Sequence, residues 1–334
     1  MANRNDEVLI SGLQPTGPIH IGNYLGAVRN FARLQHEFPG RFYIFIADYH
    51  SLTENFEPQE KHSQICLLAA ELLAAGLDPK KTTLYVQSEL PEVTELAWIL
   101  NTLTPMAFLE RMTQYKDKAG RQRENVNVGL FDYPVLQAAD ILIAKATLVP
   151  VGVDQVQHVE LTRDIARFFN HRFGETFGEP RPVLTETPKV MSLSDPTKKM
   201  SKSVPESFIS CADDPETIRA KMRRAVTDTG PAKKGAEKSP GVKNLFSLLA
   251  EFGEAEDLGR MERAFRDGSI RYVDLKDLAA KRLADHFAEF RKKRAVFIKD
   301  SEKVMRIFDK GAKKIRVVAK KTMLEVRQKI GLCV

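Results

Sequence analysis

The sequence holds few cysteines and no pair of diagnostic spacing. Cys66, Cys211 and Cys333 are widely scattered and odd in number, and no CxxC occurs. Neither a zinc site nor a disulfide framework is supported, so no metal ligands are assigned. Cys66, inside the apolar run ICLLAAELLAAG, reads as a small core residue, and Cys333 as an incidental thiol. Also lacking is any stretch of about 18 apolar residues, so no membrane span is expected. The first residues, MANRNDEV, are polar and carry no signal-peptide core, which makes a cytoplasmic protein the expectation. No internal repeat or low-complexity tract is evident.

What is present points to an ordinary globular chain of two domains. Its 334 residues are 43% apolar, and single cores stop growing near about 250–300 residues. The net charge of +7 is unevenly placed. Residues 291–334 hold 15 Lys and Arg against 4 Asp and Glu, so residues 1–290 sum to −4. A basic helix is often only a solvated face, but this concentration shifts the expectation toward a polyanionic partner such as RNA.

In the first half, β-rich runs alternate with amphipathic ones. VLISG (8–12), RFYIFIAD (41–48), TTLYVQS (82–88) and TLVPV (147–151) read as strands. Between and after them lie helical patterns: one from about Ile21, one from Pro58 to just before Gly76, PEVTELAWIL, and one over about 154–170. This alternation predicts an α/β fold, a doubly wound parallel Rossmann-like sheet. Beyond residue 200 the pattern becomes helical. DDPETIRAKMRRAV carries an Asp cap, Pro215 at the first turn, and Ile218, Met222 and Val226 four apart. GVKNLFSLLAEFG, the run 274–298 and the run 309–330 are helical by period, and the Gly/Pro/Lys-rich 227–241 reads as a mobile connection. The expected domains by pattern are an α/β 1–195, a helical 196–300 and a basic terminal helix in 301–334.

Two stretches carry candidate chemistry. GLQPTGPIHIGNYLG (12–26) places His20 and Asn23 three residues apart at a strand-to-helix junction, with glycines that let backbone approach a ligand. Both side chains can face outward at the carboxyl end of the sheet, where doubly wound folds bind ligands. Alone, HxGN reads more readily as a tight strand–helix turn that happens to contain a histidine. The other is KKMSKS (198–203). Lysine ammonium groups are compact charges suited to phosphate, with serines and backbone amides as added donors. Such a loop is weak evidence by itself, but its KMSKS starts 179 residues after His20, at the exit from the α/β region. A third stretch, YPVLQAAD, places Tyr133, Gln137 and Asp140 at i, i+4 and i+7, on one face of a helix among apolar neighbours. That stripe fits a buried directional site, a helix cap or a satisfied core network.

Together, HIGN and KMSKS resemble the ATP-binding signatures of class I aminoacyl-tRNA synthetases. FIADYHSLT (45–53), LERMTQYKDK (109–118), the run 129–170, MSLSDPTKKMSKS (191–203) and IRAKMRRAVTD (218–228) are similar to bacterial tryptophanyl-tRNA synthetases, over about residues 8–330. The resemblance implies ATP with Mg²⁺, L-tryptophan and tRNA(Trp) as ligands, a homodimer, and two-step tryptophanylation through an adenylate. It also implies that 1–195 is the catalytic domain with 105–170 as an insertion and dimer segment, that 196–300 binds the tRNA anticodon, and that the terminal helix packs back on the catalytic domain. It implies that His20 and Asn23 stabilise the ATP phosphates, with Gly22 against the adenosine. Gln14 and Lys116 approach ATP and the reacting carboxylate, and Asp154 the ribose. Lys199, Met200, Ser201 and Lys202 hold the pyrophosphate. Tyr133 and Gln155 hold the substrate amino group, and Asp140 accepts from the indole N–H. His50, Gln137, Val149, Val151 and Ile10 line the pocket.

The sequence departs from that pattern at Ile10, where an aromatic is common, at Gln137, where methionine is frequent, and at Val153, which turns VGEDQ into VGVDQ. An unpaired buried acceptor costs about 1–3 kcal/mol, so Asp140 is expected to reject phenylalanine. It would accept equally from a tyrosine hydroxyl, which keeps a tyrosyl enzyme as the rival reading. A small adenylyltransferase shares the HxGH-like turn but lacks the KMSKS and basic helical domain. A non-catalytic RNA-binding paralogue would be expected to lose His20, Lys202 or Asp140, and all three are present.

Overall fold

The computed structural model describes residues 6–112, 126–185, 188–202, 204–228, 230 and 234–333. Lys116, the side chain of Asp154 and part of the 227–241 connection lie outside them. The chain divides into two compact units: Met1–Thr16, Asn30–Glu186 and Phe297–Val334 form one, and Gly17–Arg29 with Thr187–Val296 form the other. These units do not coincide with a linear division at residue 195, because the HIGN segment groups with the later residues.

The first unit is built on five parallel strands in the order β3-β2-β1-β4-β5. They are β1 (Val8–Leu13), β2 (Arg41–Ile46), β3 (Thr83–Val86), β4 (Leu148–Val151) and β5 (Arg181–Leu184). This is the doubly wound α/β fold that the alternating pattern predicts. β1 and β2 pair in full register from Val8↔Arg41 to Leu13↔Ile46. β1 and β4 share one register pair, Leu9↔Leu148. Pro150 in β4 has no N–H to give a ladder, and Ser11 Oγ reaches its carbonyl instead. β5 has no counterpart in the sequence pattern: it is four residues long, includes Pro182, and buries no residue fully, so it shows no apolar run.

Helices α1 (Arg29–Glu37), α2 (Pro58–Ala74), α3 (Glu92–Asn101), α4 (Met106–Glu110), α5 (Val128–Ile143) and α6 (Val156–Phe173) follow the strands. The core runs from Ile10 and Phe45 through the apolar faces of α3, α5 and α6. The terminal helix α12 (Ser301–Ile330) contributes Ala312, Ile315, Ala319, Met323 and Val326 to that same core.

The second unit is helical: α7 (Pro215–Arg224), α8 (Pro240–Phe252), α9 (Ala255–Asp267), α10 (Tyr272–His286) and most of α11 (Ala288–Lys299). Asp214 caps α7 by accepting from Thr217 N, with Pro215 behind it. α7 ends at Arg224, so Val226 is not on the Ile218–Met222 face and stands exposed. The run 274–298, helical throughout by period, is two helices: the chain breaks at the buried Phe287.

Candidate active site

In the first unit, polar groups gather where β2 and β3 end. After β2 the chain turns through a short 3-10 segment, His50–Thr53, and after β3 through another, Gln87–Glu89. α5 lies across from both, started by Asn127, whose Oδ1 accepts from Leu130 N. Asp140 on α5 is 1% exposed. Its Oδ2 lies 3.0 Å from His50 Nε2, and Gln87 Nε2 donates to Oδ1 at 2.9 Å and Oδ2 at 2.8 Å. Burial pushes the Asp140 carboxyl up, against the opposing pull of the His50 and Gln87 hydrogen bonds.

Two turns back on α5, the Tyr133 hydroxyl sits 2.9 Å from His158 Nε2, and its ring meets His50 edge-to-face at 6.2 Å. His158 is fully buried on α6, beside the Gln155 that opens that helix. Ile10 on β1 and Val149 and Val151 on β4 are buried, and Gln137 and Gln14 are half-buried. Val153, the departure from VGEDQ, is 77% exposed. The structure thus brings His50, Tyr133 and Asp140 together. It adds two residues that sequence reasoning misses, Gln87 and His158. His158 lies within the run 129–170 but without an assigned role, and Gln87 signals itself only as a polar residue ending an apolar strand.

One expectation changes. Asp140 already has two partners, so a ligand without an N–H does not leave it an orphan acceptor. Discrimination against phenylalanine then falls more on pocket shape.

In the second unit the two signature segments meet. Lys202 Nζ donates to the Gly17 carbonyl at 3.0 Å. His20 and Ser210 form an antiparallel bridge, Ile21 N donates to Ile209 O, and Cys211 N to Ile19 O. The KMSKS loop itself is held by Met200 N on Val190 O and by Ser207 Oγ donating to Ser201 O at 2.6 Å. Met200 is buried, Ser201 and Lys202 half-buried, and Lys199 exposed. Lys198 ion-pairs with Asp195 on the surface.

His20 is 8% exposed rather than outward-facing. It caps the helical turn Ile21–Asn23, its Nδ1 accepting from Asn23 N at 3.2 Å. That bond fixes the tautomer, leaving the proton on Nε2. Burial, and then the Lys202 charge, lower its pKa to about 4, so the ring is neutral at pH 7. A π-helical turn, Tyr24–Val28, follows at once, a distortion frequent at functional sites. A neutral N–H donor and a lysine ammonium are thereby set beside the N-terminus of a helical turn, an arrangement that favours anionic oxygens.

A family model described as tRNA synthetases class I (W and Y) matches residues 2–288. This chain belongs to that family. Among curated relatives, tryptophan–tRNA ligase 2 of Streptomyces avermitilis is 44% identical, over 99% of this chain and 98% of its own. The tryptophan–tRNA ligase of Caldanaerobacter subterraneus is 43% identical, over 97% and 98%. Among solved structures, tryptophanyl-tRNA synthetase from Campylobacter jejuni complexed with ADP and tryptophan superposes with a TM-score of 0.86 at 34% identity, covering 97% of this chain and all of that one. In this W and Y synthetase no described helix is long and apolar enough to cross a membrane.

Proposed function

We propose that this chain attaches L-tryptophan to tRNA(Trp) in an ATP-dependent reaction, through tryptophanyl-adenylate. The observation that carries the reading is the meeting of the two signature segments in one unit, Lys202 on Gly17 beside a buried neutral His20. The amino-acid end rests on Asp140, a buried carboxylate able to accept one more donor, the indole N–H.

In the first step a carboxylate oxygen of tryptophan attacks the α-phosphorus of ATP. The new P–O bond forms as the α,β-bridging bond breaks, and pyrophosphate leaves with the electron pair. No proton is transferred; the need is positioning and charge neutralisation. Lys199 and Lys202 neutralise the departing pyrophosphate, and His20 Nε2–H with Asn23 supports the phosphate oxygens. In the second step the 2′-hydroxyl of the terminal ribose attacks the activated carbonyl, AMP leaves, and the hydroxyl proton passes to solvent. Tyr133 and Gln155 orient the ammonium group; Gln14, Lys116 and Asp154 serve the nucleotide.

Magnesium would enter with the triphosphate: among the described residues, no three His, Cys, Asp or Glu side chains converge on a metal position. The helical unit and the basic terminal residues would take the tRNA, and a second copy of the chain would cover exposed Trp98, Met106 and Val128 on α3, α4 and α5. The cytoplasm is the expected compartment.

ATP–pyrophosphate exchange with each amino acid tests the reading. Tryptophan should drive exchange and tyrosine should not; tyrosine-dependent exchange would install the tyrosyl reading instead. Lys202→Ala should slow exchange by about 10²-fold or more, the loss typical of one electrostatic donor, with tryptophan Kd nearly unchanged. Undiminished exchange in that variant sinks the phosphate-clamp assignment.

A further inference from the structure

Gln87 is the first residue of the turn that follows β3 and is 0% exposed. Its carboxamide is used at both ends. The nitrogen faces both Asp140 oxygens, at 2.9 and 2.8 Å, while Oε1 accepts from Tyr49 N at 3.1 Å. Asp48 Oδ1 binds the same Tyr49 amide and Ser88 N, so the ends of β2 and β3 are tied together around the glutamine. A carboxylate held at one oxygen by His50 alone remains free to rotate about its last torsion. A donor set between its two oxygens fixes the plane.

We propose that Gln87 is a positioning residue for amino-acid recognition: it locks the Asp140 carboxylate in one ionised orientation so that the remaining lone pair faces the substrate's N–H donor. This rests on the tryptophan reading of the site. A glutamine buried only for stability would serve the fold equally well against a backbone carbonyl. Here its amide meets the carboxylate that reads the substrate. The titratable groups that face Asp140 are His50 and, at longer range, Asp48 and Tyr85, whose hydroxyl is raised by burial and by the Asp140 charge. Of the two hydrogen-bond donors on Asp140 among the described residues, Gln87 does not titrate.

Two variants separate positioning from packing. Gln87→Met keeps the volume and removes both polar ends. Gln87→Glu keeps an oxygen for Tyr49 N–H but replaces the donor toward Asp140 with a second carboxyl, which can donate only when protonated. In tryptophan-dependent pyrophosphate exchange, Gln87→Met should raise the KM for tryptophan by about tenfold, the effect of one hydrogen bond to a charged group, with kcat within about threefold. The wild-type KM should rise as pH falls, because protonating Asp140 occupies its acceptor. Gln87→Glu should show the opposite slope, its KM falling as pH falls and the two carboxyls come to share a proton.

A wild-type KM in folded Gln87→Met, or a Gln87→Glu pH dependence parallel to wild type, overturns the proposal. Loss of fold in both variants, followed by thermal unfolding, overturns it as well by assigning Gln87 to the core alone. Failure of the wild-type chain to exchange with tryptophan fails the underlying reading instead, and is seen before any variant is made.

Discussion

His20 is kept neutral by two agents that act in the same direction, a dry position and a lysine charge. Neutrality matters because the Nδ1 lone pair is in use as a helix cap; a proton there would expel the Asn23 N–H. The sign follows from linkage. With the folded pKa near 4 and the unfolded value near 6.5, the group's contribution to stability is complete above about pH 6.5 and is lost as pH falls toward 4. Gly22 makes the position possible: a Cβ there would lie 2.8 Å from His20 Cε1 and 2.9 Å from Nδ1. Gly22→Ala should therefore push the imidazole outward, cost about 1 kcal/mol of cap energy and slow pyrophosphate exchange at least tenfold. Its pH profile is the sharper check. Wild type should show no His20 limb near pH 6.5, whereas the variant's ring, returned to water, should give a loss of exchange below about pH 6.5. An unchanged profile would separate the cap from the chemistry. The residue scale is also where sequence is least informative. His20, Asn23 and Lys202 stand in recognisable motifs, while Gln87 and His158 acquire meaning only when Asp140 and Tyr133 arrive beside them.

At the scale of elements, local pattern succeeds where a face is buried on a regular period and fails where tertiary packing interrupts it. The apolar runs of β1 and β2 and the capped start of α7 are of the first kind. Phe287 is of the second. It breaks the run 274–298 without proline or glycine, because its ring packs edge-on to Tyr24 at 4.9 Å and beside Phe252 and Phe290. α9 has no clear sequence signal either; its surface is largely charged, and only Asp257, Met261 and Phe265 are buried. α12 begins at Ser301, eight residues before the pattern 309–330, and Gly311 sits inside it because of what it packs against. A Cβ there would fall 1.8 Å from the Leu84 carbonyl oxygen of β3. The helix backbone thus lies directly on the strand, and backbone cannot swing aside as a side chain can. Gly311→Ala should destabilise by about 1–3 kcal/mol or more through overpacking, although alanine favours helices elsewhere. Chemical denaturation would show a lower midpoint; a midpoint at or above wild type would mean that the helix can slide off β3.

Across the whole molecule, the charges of the basic terminal region fall into two sets. Part of its charge is engaged inside the first unit: Arg316 meets Glu92 at 3.0 Å, Arg327 grips Glu95 at 2.7 and 2.5 Å, and Lys145 and Lys329 share Glu325. These pairs join α12 to α3 and to the turn after α5, and the composition excess could not distinguish them from a solvated or RNA-facing set. A second set on α12, Lys313, Lys314, Lys320 and Lys321, is exposed to solvent. The two sets should separate by experiment. Changing Arg327 to Ala should lower thermal stability, since Glu95 loses its bidentate partner, and leave the salt dependence of tRNA binding alone. Changing the four exposed lysines to Ala should do the reverse. Tryptophan-dependent pyrophosphate exchange should persist, the KM for tRNA should rise, and the slope of log affinity against log salt should shrink by about 0.7–0.9 for each phosphate that a lysine no longer neutralises. An unaltered slope in the four-lysine variant would remove α12 from the tRNA surface and leave its charge wholly to the fold.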